Sequence, residues 1–114
     1  MKADLNKLIC KAGLDKKAER VMVINLEGLT VVSDYFIVMS GGSKAQVKAI
    51  SDHIEEELAK VGEKAIKVDG YNDARWIVLD YGDVLVHVFY EEDRLFYNLE
   101  RLWNTGSNTF IYSE

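Results

Sequence analysis

The stretch RWIVLDYGDVLVHVFYEEDRLFYNLERLW, residues 75–103, decides the fold of this 114-residue chain. It is the densest apolar and aromatic run in the sequence, and it holds both tryptophans. Two runs rich in β-branched and aromatic residues flank Gly82 and Asp83, and a Gly-X pair in this setting is typical of a type II′ hairpin turn. The pattern therefore predicts a strand, a tight turn, a second strand and then a helix that ends at Trp103.

A two-residue turn also fixes the register of the hairpin, so that Trp76 faces Phe89 and Asp80 faces Leu85. Because side chains alternate along a strand, the hairpin has two different faces. The first face is uniformly apolar and is predicted to be core; it consists of Ile77, Leu79, Tyr81, Val84, Val86 and Val88. The second face mixes large aromatics with an acid and an imidazole; it consists of Trp76, Val78, Asp80, Leu85, His87 and Phe89.

This second face has two interpretations. In one, helices cover both faces of the sheet, and Asp80 and His87 find partners inside the protein. In the other, the face is an exposed patch with an aromatic centre and polar edges, which is how protein-binding sites look. A one-residue error in the turn would exchange the two faces. The exposure of Trp76 and Phe89 in the isolated protein decides between the interpretations.

The rest of the chain supplies helices and strands around this hairpin. The predicted helices cover residues 2–12 and 44–60, with a further helical turn at 15–20, and the predicted strands cover 21–26, 35–40 and 65–68. The nearly unbroken apolar run at 35–40 indicates a strand that is buried on both faces. Ser43 and Gln46 form a capping box at the start of the second helix. This order predicts an α+β or α/β fold, a mixed β-sheet flanked by helices.

The length and composition of the chain limit the number of domains and the classes of function that it can have. One domain is expected over residues 1–103, and the tail at 104–114 is either loose or an added edge strand. The single cysteine, Cys10, cannot form an internal disulfide, which fits a reducing cytoplasm. No signal peptide and no membrane helix are expected. The net charge of −5 argues against nucleic-acid binding as the primary role and favours a basic partner.

Two groups of residues could form a phosphate site or a metal site, and each is an alternative to a role in protein binding. The turn Gly41-Gly42-Ser43 opens a helix and could hold a phosphate, although a plain helix cap explains it as well. Asp80 and Asp83 form a carboxylate pair, but no third metal ligand is evident. The rival hypothesis is therefore a nucleotide-binding or nucleotidyl-transferring enzyme that uses Gly42, Ser43 and Asp80. Saturable binding of ATP or CTP with magnesium would favour it.

Several blocks of this sequence resemble the Iojap family, the ribosomal silencing factors. They are DYFIV at 34–38, GGS at 41–43, QVKAI at 46–50, RWIVLDYGDVLVHVF at 75–89 and FYNLERLW at 96–103. The resemblance covers about residues 3–103. It implies a nucleotidyltransferase-like mixed sheet without the D-x-D metal pair of the active enzymes, and so a protein that is not an enzyme and needs no cofactor.

The resemblance also implies a partner. Such proteins bind the large ribosomal subunit through its protein number fourteen, prevent the subunits from joining and lower translation. We expect the partner to contact the second face, with a weak homodimer through the same surface in the free protein. The expected contact residues are Trp76, Val78, Asp80, Tyr81, Leu85, His87, Phe89, Glu91 and Glu92. The expected location is the cytoplasm, with no membrane contact.

Overall fold

The computed structural model describes residues 2–112, without the side chains of residues 2, 3, 96 and 100. The side chains of Phe96 and Glu100, from the last family block, therefore lie outside the described residues. The helices are α1 (Lys2–Asp15), α2 (Lys44–Ala59), α3 (Glu91–Tyr97) and α4 (Leu99–Trp103). The strands are β1 (Glu19–Asn25), β2 (Tyr35–Gly41), β3 (Lys67–Asp69), β4 (Trp76–Asp80), β5 (Val84–Tyr90) and β6 (Thr109–Ile111). Within residues 2–112, no helix is long and apolar enough to cross a membrane.

All six strands form one mixed sheet in the order β3-β4-β5-β2-β1-β6. β2 and β5 run parallel, and the other neighbours are antiparallel. The β4–β5 hairpin has the predicted register, with Trp76 opposite Phe89 and Asp80 opposite Leu85. Gly82 supplies the positive φ, +84°, that the turn needs. The prediction of a mixed sheet flanked by helices is confirmed.

Several element bounds differ from the sequence prediction; the short strand predicted at 65–68, for example, is β3 at Lys67–Asp69. The expected helical turn at 15–20 is wrong, because α1 runs on to Asp15 and β1 already begins at Glu19, with Lys17 in a left-handed conformation between them. Of the two alternatives for the tail, the structure has the edge strand. β6 pairs with β1, so that Phe110 lies opposite Val23.

The start of α2 is capped as its sequence predicts. The Ser43 hydroxyl accepts a hydrogen bond from the Gln46 N–H at 3.1 Å. The Gln46 side chain reaches back one residue further than in the standard capping box and accepts from the Gly42 N–H at 2.7 Å. Its amide also donates to the carbonyls of Lys16 and Lys17, which ties α2 to the turn after α1.

The first face of the sheet packs against α1 and α2 and forms the main core. All six hairpin residues predicted for this face are buried. The sequence also predicts a buried apolar stripe on α2, formed by Val47, Ile50, Ile54, Leu58 and Val61. The structure buries this stripe from Val47 to Leu58. Its last predicted member, Val61, is instead exposed, because the helix ends at Ala59 before the stripe is complete.

The helices α3 and α4 cover only part of the second face. Asn98 adopts a left-handed conformation with φ of +47° and divides the predicted single helix into α3 and α4. This break turns the chain so that Leu99 and Trp103 pack on the second face. The helical spacing of Leu95, Leu99 and Leu102 predicts that all three pack inward. This prediction is wrong for Leu95 and Leu102, which are 68% and 75% exposed.

Candidate partner-binding surface

The second face divides into a covered half and an open half. The covered half lies on β1, β2 and the end of β5, where Phe36, Val38 and Phe89 are buried with Leu99 and Trp103 packed against them. The open half, here called the open half-face, lies towards β3. It consists of the partly exposed residues Trp76, Val78, Asp80 and Leu85. Neither interpretation of the second face is right for the whole of it, because α3 and α4 are too short to span the sheet.

Trp76 is the largest side chain of the open half-face, and several rings hold it in place. Its indole stacks on Phe89, with ring centroids 4.9 Å apart and an interplanar angle of 27°. Tyr97 of α3 lies against it with a centroid distance of 4.8 Å. The indole Nε1–H donates to His87 Nδ1 at 3.0 Å. The tryptophan is therefore a fixed, partly exposed aromatic surface.

His87 lies beneath Trp76 and is 5% exposed. Burial disfavours the charged imidazolium and lowers the pKa of His87 to about 4. The ring is therefore neutral at physiological pH. Because Nδ1 accepts the indole hydrogen, the proton of the neutral ring is on Nε2, and this atom has no hydrogen-bond partner among the described residues.

The buried imidazole predicts a pH-dependent stability. The folded pKa of about 4 lies below the ordinary 6.5, so between these values the unfolded chain binds a proton that the folded protein excludes. Stability should therefore fall as the pH falls through this window, and His87 should contribute a loss of about 2 kcal/mol between roughly pH 7.5 and 5. Urea unfolding at both pH values measures the loss in the wild type and in His87→Phe. Parallel pH profiles for the two proteins would contradict this origin.

The predicted contact residues do not all reach the open half-face. Phe89 is fully buried beneath Trp76, and its expected exposure is wrong because Trp76 and the residues of the covered half enclose it. Tyr81 lies in the main core, because the alternation of β4 places it on the first face. These two side chains are therefore not available on the surface, and His87 is almost completely withdrawn from it.

The acidic residues lie at two ends of this surface. Asp80 is partly exposed at the end of β4, where its Oδ1 accepts from the Gly82 N–H at 2.8 Å. Glu91 and Glu92 begin α3, where carboxylates stabilise the helix N-terminus. The Arg75–Asp93 ion pair, 3.2 Å between Nη1 and Oδ2, joins this helix start to the residue before Trp76. The apolar centre thus has negative charge near both ends.

The rival enzyme site is not assembled. Gly42 and Ser43 follow the end of β2, beside Tyr90, whereas Asp80 lies beside Leu85 at the beginning of β5. At about 3.3 Å per residue, these ends of the sheet are roughly 17 Å apart. Gly42 N–H and the Ser43 hydroxyl are already engaged in the α2 cap. No group of three or more His, Cys, Asp or Glu side chains suited to a metal ion occurs in the part of the chain that the structure describes.

The thiol of Cys10 offers no reactive group either. It is fully buried in the main core, and burial raises its pKa to about 12. The thiolate is the nucleophilic form of cysteine, so this side chain is an ordinary apolar core residue at physiological pH.

Sequence reasoning missed Arg94, which is almost fully buried in α3. Its Nη1 donates to the Glu19 carbonyl at 3.1 Å and to Ser40 Oγ at 3.2 Å. Arginine is rarely fully buried, so composition gives no warning of this position. Tyr97 was not among the predicted contacts, although it is half-exposed and extends the aromatic surface beside Trp76.

The fold and the open half-face define a small α+β protein with a fixed aromatic surface suited to contact with another macromolecule. Comparison with known proteins gives the family. Residues 2–112 match the family model described as "Ribosomal silencing factor during starvation". The chain belongs to this family, and the resemblance found in its sequence is confirmed.

Individual relatives agree with the family match. The chain is 41% identical over 97 residues to the ribosomal silencing factor of Bacillus subtilis, covering 85% of this chain and 82% of the relative. It is 32% identical over 102 residues to the chloroplastic protein Iojap of Zea mays, covering 87% of this chain and 43% of that protein. A crystal structure from Bacillus halodurans superposes with a TM-score of 0.84 at 37% identity, covering 96% of this chain and 99% of that one. The role of the chain is therefore ribosome silencing, a form of translation regulation.

Proposed function

We propose that this protein binds the large ribosomal subunit through its protein number fourteen and sterically prevents the small subunit from joining. It acts as a binding protein without catalysis or cofactor, and it does so in the cytoplasm. The observation that supports the proposal best is the open half-face, where a tryptophan held by ring contacts and a hydrogen bond remains partly exposed beside other partly exposed apolar residues. Aromatic anchors of this kind supply most of the affinity in protein interfaces.

Charge complementarity supports the same kind of partner. The chain carries a net charge of −5, and Asp80, Glu91 and Glu92 flank the apolar centre. Such groups orient a basic ribosomal protein and raise the rate of association, while the apolar centre provides affinity. In this proposal Trp76, Val78 and Leu85 make the direct contacts, and His87 and Phe89 support them from below.

The proposal is tested by sedimentation of ribosomes assembled from dissociated subunits. The wild-type protein should reduce the fraction of joined ribosomes, and Trp76→Ala should abolish this effect, because loss of an anchor residue costs more than about thirtyfold in affinity. The matched control is Ile111→Ala, since Ile111 is an exposed apolar residue on the opposite edge strand. A Trp76→Ala protein that blocks joining as well as the wild type would show that the surface is misplaced. A wild-type protein without effect would refute the function.

We also propose that the free protein forms a weak homodimer through the open half-face, which partner binding displaces. An apolar surface can pair with its own copy across a two-fold axis. Light scattering over a concentration series should show an average mass that rises above 13.0 kDa for the wild type. It should show a smaller rise for Trp76→Ala. If the wild type is still a monomer at the highest concentration, the homodimer proposal is wrong and the proposal of ribosome binding is unaffected.

A further inference from the structure

The polar atom of the Trp76 indole is already used inside the protein. The indole has one N–H, and this hydrogen points to His87 Nδ1 at 3.0 Å. Tryptophan at protein interfaces is usually amphipathic, with the N–H free to bond the partner. On this surface the N–H faces inward, so the exposed part of the ring is hydrocarbon.

We propose that His87 is a positioning residue which makes Trp76 a purely apolar anchor, so that the partner receives it in an apolar pocket that offers no hydrogen bond to the indole. The inference rests on the proposed function, because it specifies how the partner recognises the open half-face. It goes further by giving the chemistry of the complementary site.

The acceptor on His87 is itself fixed. The imidazole meets the ring of Phe36 edge-on with centroids 4.6 Å apart, and it lies nearly parallel to Phe89 at 6.4 Å. A buried ring in such packing cannot turn away from the indole without breaking several contacts. The orientation of Trp76 is thus set before the partner arrives, and the entropy cost of ordering a large side chain is not part of the binding step.

The same geometry selects against a polar partner site. A partner that buried a carbonyl or carboxylate against the indole edge would find no free hydrogen to bond, and a buried acceptor without a donor is unfavourable. Val78 and Leu85, the other apolar members of the open half-face, favour an aliphatic or aromatic lining as well.

The experiment is a double-mutant cycle measured as affinity for purified large ribosomal subunits. Trp76→Phe keeps a ring without the N–H and should weaken binding by only about fivefold, against more than about thirtyfold for Trp76→Ala. His87→Phe should weaken binding by about tenfold while Trp76 is present, because the indole loses its tether. In the Trp76→Phe protein the same change should cost less than about twofold.

A conservative replacement and a spectroscopic signal separate positioning from general support. The amide oxygen of His87→Asn lies near the place of Nδ1 and should restore most of the affinity that His87→Phe loses. In NMR spectra of the wild type, the Trp76 indole N–H should exchange slowly with solvent. His87→Phe should remove this protection, while the exchange rate of the Trp103 indole N–H should stay as in the wild type.

The outcomes distinguish this inference from the proposed function. Equal losses from Trp76→Phe and Trp76→Ala would mean that the partner bonds the indole N–H, which overturns the inference and leaves the surface in place. If His87→Phe weakens binding by the same factor in the wild-type protein and in the Trp76→Phe protein, His87 does not act by positioning Trp76. If Trp76→Ala binds as tightly as the wild type, the proposed surface itself is wrong.

Discussion

Gly70→Ala is expected to lower the free energy of unfolding by about 3 kcal/mol or more. A Cβ atom on Gly70 would lie 2.1 Å from the carbonyl oxygen of Trp76, which is a backbone atom and cannot turn aside. The φ of Gly70 is also +80°, a conformation that alanine adopts only at a cost. The substitution therefore strains the turn before β4 and pushes on the first residue of that strand.

Urea denaturation of Gly70→Ala beside Gly28→Ala measures this effect. Gly28 has nearly the same φ, +83°, but no atom lies within 4 Å of the position of its Cβ. Gly28→Ala should therefore lower the free energy of unfolding by only about 1 kcal/mol, the cost of placing alanine at a positive φ. If the two variants lose equal stability, the close contact with Trp76 does not matter. Because Trp76 is the proposed anchor, Gly70→Ala should also weaken ribosome binding in the fraction that folds.

The second large effect is expected for Arg94→Ala, which should cost about 3 kcal/mol of stability or more. Arg94 is 1% exposed, and its guanidinium reaches from α3 to the Glu19 carbonyl of β1 and the Ser40 hydroxyl of β2. Its removal leaves a cavity and takes a donor from both oxygens. Arg94 also anchors the helix that carries Tyr97, so the ring packed on Trp76 should loosen at the same time.

Thermal or urea unfolding of Arg94→Ala should be compared with Arg101→Ala, an exposed arginine on α4 whose loss should cost less than about 0.5 kcal/mol. Arg94→Met should recover part of the stability, because methionine fills most of the volume without the hydrogen bonds. An Arg94→Ala protein as stable as Arg101→Ala would show that the buried guanidinium contributes nothing to the fold. If Arg94→Ala is stable but Tyr97 packs less firmly on Trp76, Arg94 anchors α3 without contributing to the stability of the fold.

The hairpin was predictable from the sequence because its information is local. The turn Gly82-Asp83 fixes the register, and an alternation of two residues then assigns each side chain to a face. The same holds for the cap of α2, where Ser43 and Gln46 act within one helical turn. The family resemblance rests on such local blocks as well, and it identified ribosome silencing as the role.

The exposure of the second face was not predictable in the same way. Phe89 and Trp76 are direct neighbours on that face, yet Phe89 is fully buried and Trp76 is partly exposed. The difference depends on where α4 packs, and this in turn depends on the left-handed backbone of Asn98. A period-3.6 pattern read across Asn98 gave the wrong orientation for Leu95 and Leu102.

The sequence by itself determined the hairpin, its two faces and the family of this protein, because turn chemistry and side-chain alternation act between near neighbours. Only the tertiary structure decided which half of the second face stays open, that β6 closes the sheet beside β1, and that Arg94 and His87 are withdrawn from solvent. These features depend on contacts between residues far apart in the chain. Burial is a property of what packs against a residue, and no local pattern contains that information.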